Sequence, residues 1–196
     1  MKRLHRAWGL GVFVAVAFGM SSCFMLGDLN DSLKEIAEVM EGKVFTIPAA
    51  TITYSDSTTL SFAEYGKKQR IEKGTEVLIY IDSTYYSLNT QEKTGYKYQY
   101  SGEYLFNTAY CFLEETWKLA NYNENVKKAS ETIAGKKCTV YTDSEDGTKY
   151  GGWERISFVI NDVRATSFTT SVASNAFTVP ADYTITDMTD STDHIE

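Results

Sequence analysis

Three cysteines are the side chains of this sequence best placed for chemistry, and Cys23 has the most informative surroundings. Ser21 and Ser22, two small residues, stand directly before it, and the uncharged, mostly apolar run 7–20 precedes them. The basic head of the chain consists of Lys2, Arg3 and Arg6. A basic head, an apolar segment of about 7–15 residues and a small-residue cleavage site are typical of an export signal. The run is shorter than the about 20 apolar residues that a helix needs to span a bilayer.

The cysteine at the cut site makes this segment resemble a bacterial lipoprotein signal. The resemblance implies that residues 1–22 are removed as a signal peptide and that the sulfur of Cys23 carries diacylglycerol. Stable anchoring takes at least two acyl chains, which such a group supplies. An ordinary cleaved signal and a short uncleaved anchor are the alternatives. Phe24 follows the cysteine, where an aspartate would suggest inner-membrane retention in some bacteria, so we expect a lipid anchor in the outer membrane of a bacterial cell envelope.

Cys111 and Cys138 are the two cysteines that remain after the signal. An exported protein meets an oxidising compartment, where disulfides persist, and two cysteines allow only one intramolecular pairing. Two buried free thiols are the alternative, because unpaired cysteine is among the most buried residue types. The sequence leaves both arrangements open, since it does not tell whether the two Cα atoms lie within about 7 Å of each other.

Histidine is almost absent, with His5 in the signal and His194 near the C-terminus. The chain between them therefore offers no histidine for Ser–His–Asp or Cys–His catalysis, or for a histidine-ligated zinc. Paired carboxylates of a glycosidase remain conceivable, although solvated helix or turn positions are the simpler interpretation of the candidates. These are Glu114, Glu115 and Asp143. The sequence predicts neither an enzyme nor a metal or other cofactor.

The length and the net charge that matter are those of the chain after removal of the signal. Residues 23–196 number 174, enough for one domain with a substantial core. Loss of the three basic residues in the head takes the formal charge from −7 to −10. Such an acidic chain does not suit nucleic acid, whose binding depends on lysine and arginine at the phosphates. We expect a tether over 23–30, a single domain over 31–186, an acidic tail over 187–196, and a monomer.

Two segments have the hydrophobic spacing of helices. The first is 31–41, where Ser32 and Glu35 stand at the spacing of a capping box. The second is 106–122, whose apolar residues recur at intervals of three and four. They are Phe106, Tyr110, Leu113, Trp117 and Ala120. The polar stretch 123–134 is expected to be a short helix or a loop.

Alternation of apolar and polar residues predicts strands over most of the remainder. It begins at 43, and its most apolar strand, 75–82, is apolar on both faces, which indicates cover on both. Asp146-Gly147 and Asn161-Asp162 predict hairpin turns. The strands expected around and after them are 138–142, 149–158, 163–171 and an edge strand over 177–183. Hairpins with segregated helices indicate an α+β domain with one main antiparallel sheet.

Tyrosine is the most abundant aromatic residue, with 14 copies. Tyr96, Tyr98 and Tyr100 alternate along one expected strand and would share a face of the sheet. Because tyrosine joins a large apolar body to a polar tip, such a face suits a binding surface for an apolar or a sugar ligand. Ordinary cross-strand packing is the other interpretation.

Three short motifs carry a family resemblance. Gly-x-x-Cys-x-x-Tyr over 135–141 is followed by an aromatic strand around Trp153, and Phe-x-x-Pro-x-x-Tyr over 177–183 closes the domain. With its order of elements, the region 32–186 is similar to the superfamily of outer-membrane lipoprotein-sorting carriers and receptors, which includes small lipoproteins of uncharacterised function. The resemblance implies a strongly curved antiparallel half-barrel closed on one side by helices, with an apolar cavity for acyl chains.

Together these observations predict a lipid-anchored, non-enzymatic envelope protein whose cavity binds acyl chains or the acyl chains of lipoproteins. The side chains expected to line the cavity are Phe62, Ile79, Tyr98, Leu113, Trp117, Trp153 and Phe158. A surface glycan-binding or adhesion module that uses the sheet tyrosines is one alternative. A structural lipoprotein whose cavity is filled by its own side chains is the other.

Overall fold

The computed structural model describes residues 26–41, 43–99, 110–120 and 125–189. Over these residues the chain forms two α-helices and twelve β-strands. The helices are α1 (Leu26–Met40) and α2 (Glu114–Ala120). The strands are β1 (Ala50–Tyr54), β2 (Thr59–Ala63), β3 (Lys68–Lys73), β4 (Glu76–Ile81), β5 (Thr84–Asn89), β6 (Thr94–Gln99), β7 (Val126–Ile133), β8 (Lys136–Asp143), β9 (Lys149–Trp153), β10 (Ile156–Ile160), β11 (Val163–Thr169) and β12 (Thr184–Asp187).

All twelve strands belong to one sheet, in the order β12-β6-β5-β4-β3-β2-β1-β11-β10-β9-β8-β7. Two meanders, β1 to β6 and β7 to β11, are joined through the pairing of β1 with β11. Neighbouring strands are antiparallel, except that β12 runs parallel to β6. The sheet is open, with β12 and β7 at its edges. The prediction of a largely antiparallel sheet with separate helices is therefore confirmed in its coarse form.

Short hairpin turns connect most of the strands. Asp146-Gly147 and Asn161-Asp162 lie in turns as predicted, and Gly147 and Asn161 have positive φ angles of 75° and 56°. The prediction of one strand over 149–158 was wrong, because Glu154 and Arg155 form a turn with φ angles of 51° and 60° that separates β9 from β10. Neither residue is a glycine or asparagine, so the usual sequence signal of such a turn is missing.

Both predicted helices exist, with different starts. α1 begins at Leu26 and so takes in part of the expected tether. α2 begins at Glu114, because the residues before it are held in extended contacts with the sheet. Cys111 bridges to Ile156, and the backbone N–H of Phe112 donates to the carbonyl of Arg155 at 2.8 Å. The beginning of the predicted helix, 106–109, lies outside the described residues.

Three predictions of secondary structure were wrong. The stretch 126–133, expected as helix or loop, is β7, because pairing along its whole length with β8 overrides its weak local preference. The stretch 43–49 is irregular, since the N–H of Phe45 donates to the carbonyl of Tyr65 instead of a neighbouring strand. The stretch 177–183 forms turns around Pro180, and the edge strand is β12, which reaches Asp187.

The main core lies between the helices, the irregular stretch 43–49 and strands from both meanders. Its completely buried members include Val44, Ile52, Leu60, Phe62 and Phe158. A second, smaller core lies on the other side of β4 and β5. It contains Val77, Ile79 and Leu88, and it is covered by partly buried residues from the C-terminal part of the chain. The covering residues are Phe177, Val179, Tyr183 and Ile185.

The two cysteines within the described residues are buried free thiols, in agreement with the alternative to a disulfide. Burial raises the pKa of the Cys111 thiol to about 12, and its Sγ donates to the carbonyl of Val44 at 3.4 Å. Burial also raises the pKa of Cys138 to about 11. Cys23 and Tyr100 lie outside the described residues. Neither described helix has the length and apolar character needed to cross a membrane.

Candidate functional site

The structure distributes the seven predicted lining residues over four places. Phe62 and Phe158 are completely buried in the main core, where Leu113 and Trp153 pack against it. Ile79 belongs to the second core. Trp117 packs on the sheet tyrosine Tyr141, with ring centroids 4.6 Å apart. Tyr98 is exposed. The lining role of these residues stays a prediction, but they do not converge on one place.

One face of the first meander carries two continuous rows of cross-strand partners. In an antiparallel sheet, directly opposed residues point to the same side. The first row crosses from β1 to β6 through Ile52, Leu60, Ile71, Leu78, Ser87 and Tyr96. The second row crosses the same strands through Ala50, Phe62, Gln69, Tyr80, Tyr85 and Tyr98. Both rows therefore begin inside the main core and end at tyrosines on β6.

The tyrosine face is our name for Tyr80, Tyr85, Tyr96 and Tyr98, at the outer end of these rows. Tyr96 is 51% exposed and Tyr98 is 38% exposed. Tyr80 and Tyr85 are half-buried, and the rings of Tyr85 and Tyr98 lie 5.8 Å apart at an angle of 53°. Burial, followed by the neighbouring Tyr98, raises the pKa of Tyr85. The phenol of Tyr85 is therefore neutral at physiological pH. All four side chains offer apolar rings with hydroxyl tips.

Gln69 marks the boundary between the core and the tyrosine face. It stands between Phe62 and Tyr80 in the second row and is completely buried. Its Nε2 donates to the carbonyl of Gly66 at 2.9 Å. Its Oε1 accepts no hydrogen bond from the described residues. A buried acceptor without a hydrogen-bond donor costs free energy, and this one lies at the inner end of the aromatic surface.

The tyrosine face was only partly predictable from the sequence. Alternation along β6 identified Tyr96 and Tyr98. Tyr80 and Tyr85 were recognisable as strand residues, but their placement beside Tyr98 depends on the register of two hairpins. The turn Asp82-Ser83, which sets the register between them, has positive φ at both residues without a glycine. Chemically, the face offers aromatic rings and hydroxyl groups to an apolar chain or to the flat side of a sugar.

A polar cleft of about 230 Å³ lies on another part of the molecule, between α1, α2 and the β9–β10 turn. Its lining includes carboxylates, cations and aromatic rings, from Glu35, Glu114, Lys137, Arg155, Phe112 and Trp153. Glu35 of α1 accepts hydrogen bonds from the backbone N–H groups of Glu115 and Thr116, both at 3.1 Å. Glu35 therefore caps the first turn of α2, and these hydrogen bonds link α1 to α2.

Glu35 and Glu114, two of the carboxylates that line the cleft, have pKa shifts in opposite directions. Burial raises the pKa of Glu35, and the hydrogen bonds from Thr116 only partly offset this. Burial also acts on Glu114, but hydrogen bonds from Tyr141 at 2.7 Å and Lys128 at 3.1 Å outweigh it and lower the pKa. Both carboxylates thus have structural partners. Of the other candidate carboxylates, Glu115 pairs with Lys118, and Asp143 accepts the N–H of Glu145 at 2.8 Å.

Glu35→Gln is expected to remove a pH-dependent loss of stability. Because the folded-state pKa of Glu35 is raised, its ionisation disfavours the fold, so stability falls as pH rises from the unfolded pKa through the folded pKa. The glutamine oxygen still accepts the N–H groups of α2. We expect the variant to match the wild type near pH 3 and to be at least as stable at pH 7, as measured by urea unfolding at both pH values.

Glu38→Gln, three residues further along α1, is a control for which the expected pH dependence of stability is reversed. The hydrogen bond and charge of Arg155 lower the pKa of Glu38, so its stabilisation is present above the unfolded pKa and lost as pH falls. This variant should lose stability at pH 7 and little near pH 3. Loss of stability at pH 7 in Glu35→Gln of the same size as in Glu38→Gln would contradict the assignment.

No group of three or more histidine, cysteine, aspartate or glutamate side chains suited to a metal ion occurs in the described part of the chain. Comparison with family models finds no match. Comparison with curated proteins finds none either. Among solved structures, the chain is similar to an uncharacterized conserved protein from Thermus thermophilus, at 8% identity and a TM-score of 0.43, over 80% of this chain and 99% of that one.

Proposed function

We propose that this chain is a lipid-anchored, non-enzymatic protein of a bacterial cell envelope that binds an acyl chain, free or on a lipoprotein, along the tyrosine face. The anchor would be diacylglycerol on Cys23, in the outer membrane. One observation carries the ligand proposal. The core-bearing face of the sheet continues from Leu60 and Ile71 through Leu78 and the small residue Ser87 to Tyr96. A ligand lying across β3 to β6 would follow about 14 Å of this surface, three strand spacings.

A half-barrel shape of the sheet is part of this proposal. Two contacts between strands that are not neighbours support the necessary curvature. Glu131 of β7 forms an ion pair with Arg164 of β11, although three strands separate them in the sheet order. The Nζ of Lys136 on β8 lies 4.6 Å from the ring centroid of Phe168 on β11, although β9 and β10 separate these strands in the sheet order.

The tyrosine face is a better binding surface than the interior cavity that the sequence predicts. Phe62, Ile79 and Phe158 have no exposed surface, and Phe62 stacks on Phe45 with ring centroids 4.0 Å apart. An interior occupied by its own side chains leaves the outer end of the rows as the accessible apolar surface. The hydroxyl tips would lie beside the polar end of an amphiphile, with its chain directed toward Leu78.

The experiment uses the mature chain from Phe24 onward, made without lipid and exported to a periplasm. Native mass spectrometry first tests for a co-purifying hydrophobic ligand, and fatty acid is then titrated by calorimetry. Replacing Tyr96 and Tyr98 together with serine should weaken binding by about ten- to hundredfold, because each covered ring contributes about 1 kcal/mol or more. Tyr65→Ser is the matched control, since Tyr65 is 43% exposed but lies in the turn 64–66, away from the face.

A glycan is the second candidate ligand, favoured by the exposure of the rings of Tyr96 and Tyr98. An exposed aromatic ring stacks against the apolar side of a pyranose while tyrosine hydroxyls bond its hydroxyl groups. The same proteins are therefore titrated with oligosaccharides. Binding of oligosaccharide alone, lost in the double variant, would replace the acyl-chain proposal. Absence of binding to either probe would favour a structural lipoprotein with a filled core.

A further inference from the structure

β7 is an eight-residue edge strand whose central residues are exposed. Each of its eight residues pairs with β8, and no described strand pairs with its other side, although the side chain of Glu131 reaches Arg164 of β11. Its residues 127–130 are all exposed. At the other end of the sheet, β12 pairs with the edge of β6. A long exposed edge with unpaired backbone groups is a ready template for a further strand.

The hairpin geometry identifies the backbone groups that face outward. Ile133 and Lys136 flank the two-residue turn Ala134-Gly135, whose φ angles are both positive. Such a flanking pair exchanges both of its backbone hydrogen bonds, and these pairs alternate along an antiparallel ladder. The odd-numbered residues of β7 therefore bond to β8. The N–H and C=O groups of Val126, Lys128, Ser130 and Thr132 point to the free edge.

We propose that this edge binds the β7 strand of a second copy of the chain, in an antiparallel pairing centred on Ala129. A two-fold axis normal to the sheet places one residue opposite its own copy. With Ala129 at the axis, Lys127 stands opposite Glu131 of the second copy, and the symmetry repeats this pair. The outward-facing residues Lys128 and Ser130 then form the hydrogen-bonded pairs. This register therefore pairs the opposite charges and also forms the backbone hydrogen bonds between the two strands.

The neighbouring registers lack this complementarity. Centring on Lys128 would place two lysine side chains opposite each other, and centring on Ser130 would leave Lys127 opposite Ile133. Edge lysines ordinarily block indiscriminate strand pairing, so Lys127 disfavours partners without a matching carboxylate. Lys128 already pairs with Glu114 of the same chain. Glu131 is already held by an ion pair with Arg164 at the start of β11. Its carboxylate therefore keeps a defined position at the edge.

The test is disulfide cross-linking of the full chain in the membranes of the bacterium that expresses it. In the proposed register the two copies of Ala129 form a non-hydrogen-bonded pair with Cα atoms about 4.5 Å apart, within the range of a disulfide. Ala129→Cys should therefore give a homodimer on mild oxidation. Ser130→Cys is the matched control and should cross-link much less, because its own copy is not directly opposite. Cys111 and Cys138 are buried.

A second variant tests the charge pairing. Lys127→Glu in the Ala129→Cys background turns two attractive pairs into two repulsive ones and should reduce the cross-linked fraction roughly tenfold. Lys67→Glu, the same charge change at an exposed position in the turn after β2, should leave it unchanged. The proposal is overturned if Ala129→Cys gives no homodimer, if Ser130→Cys cross-links equally well, or if the product contains a different protein.

Discussion

Replacing Phe62 with alanine is expected to lower the free energy of unfolding by about 3–5 kcal/mol, the loss usual for a buried phenylalanine. Phe62 has no exposed surface and stacks on Phe45 with ring centroids 4.0 Å apart. It also lies between Ala50 and Gln69 in the second row, so a cavity at this point would separate the core from the tyrosine face. Because domains are stable by only about 5–15 kcal/mol, the variant would lose a large share of its stability. Urea unfolding followed by tryptophan fluorescence measures it.

Phe62→Leu is the control for this variant, because it retains an apolar side chain of similar size. It should lose about 1 kcal/mol. Tyr65→Ala, an exposed aromatic residue near the same end of β2, should change the free energy of unfolding by no more than about 0.5 kcal/mol. A loss below about 1 kcal/mol in Phe62→Ala would show that the site relaxes and is not a close-packed part of the core.

Gly152→Ala is expected to lower the free energy of unfolding by about 3 kcal/mol or more, which is at least comparable to the loss in Phe62→Ala. A Cβ atom at this position would lie 2.0 Å from the carbonyl oxygen of Ile156 and 2.8 Å from the Cβ of Phe112. The first contact is with backbone in the paired strand β10, so a side-chain movement does not relieve it. The substitution would separate β9 from β10 and displace the segment that leads into α2. Thermal unfolding and near-UV circular dichroism would both report this change.

Gly135→Asn separates this effect from the general loss of a glycine. Gly135 has a φ of +76° and open space where a Cβ would be placed. Asparagine tolerates that conformation better than most residues, so the loss should stay within about 1 kcal/mol. If Gly152→Ala were as stable as Gly135→Asn, β9 and β10 would have to lie further apart than the structure has them.

The fold was predictable where local chemistry decides it. Alternation identified β2, β4, β6 and β8, and the turns at Asp146-Gly147 and Asn161-Asp162 were correct because glycine and asparagine adopt positive φ at low cost. The turns at Asp82-Ser83 and Glu154-Arg155 have positive φ at both residues but lack that signal. β7 was missed because Lys127 to Ser130 carry no apolar alternation. Its strand conformation comes from pairing with β8.

The candidate site was predictable only in part, for a related reason. Tyr96 and Tyr98 follow from alternation along one strand, but the tyrosine face also needs Tyr80 and Tyr85 from two other strands. Conversely, aromatic and apolar character selected Phe62, Phe158 and Ile79 as lining residues. A sequence pattern does not distinguish a side chain that borders a cavity from one that fills it, since both are apolar and both face inward.

The sequence by itself determined the chemistry available to the folded part of this protein. Residues 31–186 contain no histidine, carry an acidic excess, and are rich in tyrosine and in alternating strand patterns. The tertiary structure decided which of those side chains are accessible. The cross-strand registers place Leu60, Ile71 and Leu78 in one row that emerges at Tyr96. Register depends on turns and on contacts between distant parts of the chain, and a shift of one residue would reverse both faces of a strand.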